Sequence, residues 1–241
     1  EATDWGINTP PIFWYRLEAL PLDYDNVLYC GVPPKKCAQP IHYSWTLLPE
    51  LTGKKTFNSD DYPELFTPGT HRIKPTSGVP PAKASPEDTY EIVVRRDNTY
   101  VGYITELIGT PFVFWPTQNS NGHQTDLRLG ADCVATLIYG RRRLGHSMPY
   151  VAPGALFRFT KRISPDSQGQ PIQVGDILHF GSQTAVLSHD TPPIGFLNPE
   201  DIIIHSYHQL VEEIPLKNAP YHATPMHVRR WSLTENSIPR R

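Results

Sequence analysis

The chain has 241 residues, enough for one large domain or two small ones, and its 39% hydrophobic and 19% charged residues exclude both a disordered acidic polymer and a membrane-embedded chain. A net charge of −2 supplies no overall field for a phosphate backbone, which sets nucleic acid aside as a partner. The 26 prolines, about twice the usual ~5% share, favour strands, turns and extended linkers over long helices, so a β-rich fold is expected.

The chain begins Glu-Ala-Thr-Asp-Trp-Gly, with neither an initiating methionine nor a basic-then-apolar leader, a start expected of a processed or trimmed N-terminus and compatible with a periplasmic or secreted location. Residues 1–96 read as one small all-β, sandwich-like domain. Aromatic and β-branched runs at 13–23, 41–49, 70–75 and 89–96 are separated by Pro, Gly, Asn and Asp clusters. Trp14, Tyr15, Tyr43 and Trp45 either fill its core or form a sugar-stacking face, and the core is the commoner use of such residues. Cys30 and Cys37 flank a six-residue, proline-bearing loop that can close as a disulfide worth roughly 2–3 kcal/mol. The stretch 74–89 is the most linker-like part of the chain, although it also fits a long hairpin loop that returns residues 89–96 to the first sheet.

A second domain is expected over 97–241. Asp97 and Asn98 are cap-type residues, Val101, Ile104 and Ile108 keep a helical spacing, and Gly109 with Pro111 stops the helix. A second helix opens at Asp132, buries Val134, Leu137, Ile138 and Leu144, and ends at Gly145, while Arg141, Arg142 and Arg143 compensate its negative end and take up solvent. Strands follow at 175–180, 184–188, 201–207, 210–216 and 227–232. Helices followed by an antiparallel meander make an α+β fold.

Cys133 is the odd cysteine, either a buried small hydrophobe or a reactive thiol. With Asp132 as cap it stands in the first turn of its helix, where free N–H groups and the positive dipole end stabilise a thiolate. Cysteine catalysis also requires an imidazole in hydrogen-bond reach and a group to orient that ring.

The succession Tyr-Val-Gly-Tyr-Ile-Thr-Glu-Leu-Ile-Gly-Thr-Pro (100–111), Gly-Ala-Asp-Cys (130–133), Val-Gly-Asp-Ile-Leu-His-Phe (174–180), Gln-Thr-Ala-Val-Leu (183–187) and Ile-Ile-Ile-His (202–205) resembles the NlpC-like cysteine peptidases of the bacterial cell wall. The resemblance covers about residues 97–215 and implies a papain-like fold. It implies an amide hydrolase acting on peptidoglycan peptides or a related peptide, with Cys133 as nucleophile and His205 as the third polar residue. Gln183 stands where the family's basic histidine is expected, Phe112 where a tyrosine is usual and Val134 where a serine is usual; an amide cannot take up a thiol proton. The base then falls to His205 with Gln183 as its orienting partner, to His179 reaching across an antiparallel pair, or to His189 in a turn. Phe112, Phe114 and Trp115, with Asp132, line the substrate groove that the resemblance implies, and their lack of a hydroxyl predicts an apolar pocket. An alternative expectation is an inactive binding module that recognises a cell-wall glycan or peptide, and a third is an acyl or peptidyl transferase using the same thiol.

No cofactor is implied. His205 and His208 lie three apart, with Glu212 and Glu213 behind them, but strand residues three apart face opposite sides, so no metal site is expected. The residues set no oligomeric state.

Overall fold

A computed structural model describes residues 10–20, 41–87, 89–164 and 171–232. Cys30 and Cys37, and with them the expected disulfide, lie outside the described residues.

The first unit is a single four-stranded antiparallel sheet in the order β2-β1-β3-β4, built from β1 (Phe13–Ala19), β2 (Tyr43–Leu47), β3 (Gly69–Thr76) and β4 (Tyr90–Val94). The expected sandwich is thereby corrected: among the described residues no second sheet covers this one. Its core face is closed instead by loop residues, with Leu48, Leu51 and Phe66 packed on Trp14 and Ile73. Phe57 stacks on Phe66 at 5.6 Å and meets Trp14 edge-on at 5.0 Å, contacts worth about 0.5–1.5 kcal/mol each beyond the area they bury. Trp14 and Tyr15 are buried and Tyr43 and Trp45 half-buried. The linker-like stretch is the connection between β3 and β4, which pair directly.

Helix α1 (Tyr100–Ile104) follows and tightens into a 3-10 turn at Thr105–Leu107. Its cap is Thr99, whose side chain accepts the Gly102 N–H; the Asp97 carboxylate supports the cap by accepting the Thr99 N–H at 2.8 Å. A two-strand hairpin, β5 (Gln118–Asn119) and β6 (Gly122–His123), precedes α2 (Cys133–Arg143), which Asp132 caps by accepting the Ala135 N–H. Val134, Leu137 and Ile138 are buried as expected, but Leu144 lies past the helix end and is exposed. The arginines are not simply solvated: Arg141 is buried over Trp231, Arg142 pairs with Asp126 and Arg143 with Glu106. Gly140 lets α1 and α2 touch, because a Cβ there would sit 2.8 Å from the Tyr100 carbonyl oxygen.

The short α3 (Pro153–Leu156) leads into a six-stranded sheet of β7 (Thr160–Ile163), β8 (Ile177–Phe180), β9 (Gln183–His189), β10 (Ile202–Ser206), β11 (Val211–Pro215) and β12 (His227–Trp231). The order is β11-β10-β9-β8-β12-β7 with every pairing antiparallel, so the last strand is inserted between β8 and β7 rather than added to a meander. The sheet is covered on both faces, and the strands alternate between them. Ile177, Val186 and Ile204 pack with α1 and α2, while Leu178, Ala185, Leu187 and Ile203 pack with Leu216 and Tyr221 on the other side. Mostly antiparallel sheets with few helices make this an α+β arrangement. Among the described residues no helix is long and apolar enough to cross a membrane.

Candidate functional site

Cys133 opens α2 at the edge of a cavity of about 350 Å³. Phe112, Phe114, Trp115, Asp132 and Gln183 line the same cavity, so six of the residues singled out from sequence converge. Three segments deliver them. The Phe112 N–H donates to the Gln209 carbonyl at 2.7 Å, and Phe112 bridges to Ala131, which fastens the turn after α1 beside the start of α2. The Ser206 hydroxyl donates to the Ala131 carbonyl at 2.8 Å and ties the end of β10 to the same point.

Asp132 has two tasks. One oxygen caps α2 through Ala135, and the other accepts the Trp115 N–H at 3.2 Å. That second bond holds Trp115 at φ 61°, a left-handed backbone that non-glycine residues seldom adopt. The Trp115 and Phe114 rings are consequently presented to solvent, 53% and 50% exposed, while Phe112 is buried at 6%. Trp115 and Asp132 also wall a second cavity of about 430 Å³, where His123 stacks on Tyr150 at 3.7 Å.

The thiol is 8% exposed. Burial and the neighbouring Asp132 carboxylate push it up to about 11, against weaker opposing influences of Thr184 and the Val134 main chain. The largest influences on the sulfur are burial, Asp132, Thr184 and Val134. Burial therefore outweighs the helix-start position and favours the thiol over the thiolate at pH 7.

The histidines expected to serve the thiol are engaged elsewhere. His205 pairs with Ala185 across β9 and β10, which puts its ring on the face away from α2. Its Nδ1 lies 2.8 Å from the Tyr221 hydroxyl and its Nε2 3.0 Å from the Glu212 carboxylate. An ionised carboxylate only accepts, so Nε2 carries the proton and Nδ1 takes the tyrosine hydrogen, leaving no lone pair for Cys133. The Gln183 amide donates to the Ser206 carbonyl at 2.9 Å and acts on the Tyr221 hydroxyl, so its link to His205 runs through Tyr221. His179 stands opposite Thr184 in the register of β8 and β9, edge-on to Phe157 at 4.8 Å, and burial, then Arg229 and His227, lower its pKa. His179 and His205 do not line the cavity. His189 is exposed beside Glu213.

With Pro153, the residues Ser182, Tyr207 and His208 complete the wall, and the sequence reading placed none of the last three there. They follow a turn or a strand end, where period-two alternation gives no direction. His208, weighed only as a metal ligand, has φ 59° and tilts against Phe112 at 5.5 Å. Tyr221 was equally unreadable, since it reaches His205 from a turn beyond β11.

No family model matches the chain, and neither a curated protein nor a solved structure matches it.

Proposed function

We propose that the protein is a binding module: a papain-like, NlpC-type domain that keeps the groove beside Cys133, lacks the proton acceptor, and holds a cell-wall peptide or glycan without cleaving it. The observation that carries this reading is the buried, protonated thiol with Gln183 in the place of a base and both nitrogens of His205 occupied. Two exposed aromatic rings at the cavity rim, one of them held by a strained backbone, supply the contact surface that ligand recognition uses. The ligand class and a periplasmic or secreted setting rest on the order of motifs from residue 100 to 205.

The test is calorimetric titration of peptidoglycan fragments, with product analysis on the same mixtures. Cys133→Ala is expected to leave Kd unchanged within about twofold, and Trp115→Ala to weaken it roughly tenfold, as loss of an aromatic anchor does. A second reading, a thiol hydrolase, is favoured by one observation: His208 lines the same cavity as Cys133 and carries its own backbone strain. Cleavage abolished by both Cys133→Ala and His208→Ala would replace the binding reading with that one.

A further inference from the structure

The seam between the two units carries a second arrangement, whose residues are not those that line the groove. Glu106, from the turn after α1, is 0% exposed and accepts from the Tyr139 hydroxyl, from Arg95 Nη1 at 3.0 Å and from Arg143 Nε at 3.1 Å. Both arginines also lie over the ring of Tyr103, at 4.7 and 5.4 Å. One carboxylate and one aromatic ring thus hold two guanidinium groups side by side. Glu106 uses one N–H of Arg95 and two of Arg143, of the five that each carries. A third guanidinium, Arg128, comes from the segment before α2 at φ 53°, and it shares Glu91 with Arg72.

Arg95, Arg128 and Arg143 line one cavity of about 580 Å³, whose remaining wall includes Glu106, Asp60 and Ile92, Val93 and Val94 of β4. Four guanidinium groups, counting Arg72, meet three carboxylates, Glu91, Glu106 and Asp60, and positive charge is left over. Asp60, Arg95 and Arg143 are all exposed, so solvent screens both signs of charge here.

We propose that this seam cavity is a binding site for a phosphate-type oxyanion. Arg95 and Arg143 keep N–H groups that Glu106 does not use, and Arg128, whose Nε, Nη1 and Nη2 already donate to Glu91, the Asp126 carbonyl and the Tyr139 hydroxyl, adds its positive charge; two such forks suit a group with several acceptor oxygens rather than a planar monocarboxylate. Because the wall is drawn from both units, the bound anion also braces them, and occupancy raises thermal stability by mass action. The proposal is independent of what the groove beside Cys133 does.

The probe is inorganic phosphate, titrated at constant ionic strength against chloride, with calorimetry and thermal unfolding as readouts. Saturable binding with a Kd below about 10 mM is expected, with acetate at least tenfold weaker. Arg95→Gln should weaken phosphate roughly tenfold, and Asp60→Asn, which removes an exposed negative charge and leaves the Glu106 cluster intact, should tighten it about threefold. Diethyl phosphate separates the sources: comparable binding points to a phosphodiester of a polymer, and binding of inorganic phosphate alone points to a free or terminal phosphate. Absence of saturable binding overturns the proposal, and so does a Kd that both substitutions leave unchanged. If Arg95→Gln does not fold, Asp60→Asn decides alone.

Discussion

At Cys133 two opposing influences meet, and the burial of the sulfur wins. A helix N-terminus favours a thiolate by a modest amount, whereas loss of hydration, reinforced by the adjacent Asp132 charge, leaves the thiol near 11. The rate of alkylation by a small maleimide is therefore expected to climb about tenfold per pH unit from 7 to 10 without a plateau, in contrast to an ion-paired thiol, which levels off near neutrality. A plateau below pH 8 that His208→Ala removes would show that an imidazole reaches the sulfur. Phe112, Phe114, Trp115, Asp132, Cys133 and Gln183, which the resemblance had named, line one cavity. The partners of His205 were not legible. Strand parity decides which face a side chain takes, and a register shift in the β9–β10 pairing between Ile202 and Ile203 is invisible in the letters.

At the scale of elements, the contact between α1 and α2 governs how accurately the groove is assembled, since α1 feeds the turn that carries Phe112 and α2 begins at Cys133. Gly140 is the point of closest approach. Gly140→Ala would force a methyl within 2.6 Å of Ile104 Cγ1 and 2.8 Å of a backbone oxygen, and it should destabilise the fold by about 1–3 kcal/mol in urea unfolding despite the better helix propensity of alanine. A neutral or stabilising result would mean that α1 yields freely. Alternation and turn residues located strands in both units because those signals are local. The second layer of the expected sandwich failed for the complementary reason: the loop residues Leu48, Leu51 and Phe66 cover the first sheet, and irregular segments carry no period.

For the whole molecule, Glu106 is the carboxylate on which the two units converge. Burial alone would raise its pKa, but hydrogen bonds from Tyr139, Arg143 and Arg95 outweigh that and hold it below the ordinary carboxylate range. A depressed native pKa contributes stability that is fully present above the unfolded value of ~4.3 and is lost as pH falls through the native value. Unfolding free energy should therefore decline below about pH 4, and Glu106→Gln should flatten that acid limb while lowering stability at pH 7 by roughly 1–3 kcal/mol, since the two arginines that lose their counter-charge are partly hydrated. An unchanged acid limb in the variant would remove Glu106 from the account. None of this network was legible in sequence: Arg95, Glu106, Arg128 and Arg143 are separated in the chain, and the basic run 141–143 looked like an ordinary solvated helix end.

The insertion of β12 between β8 and β7 fixes when the molecule can be finished. Residues 160–163 find their hydrogen-bonding partners only at 228–231, and β8 acquires its second neighbour from the same strand. A ribosome-bound chain that has emerged only as far as β11 thus exposes the bare flank of β8, and closure of the sheet waits on a late segment crossing more than a quarter of the sequence. Such long-range closure is the slow kind, so assembly of this domain is set by its last strand rather than by its first helix.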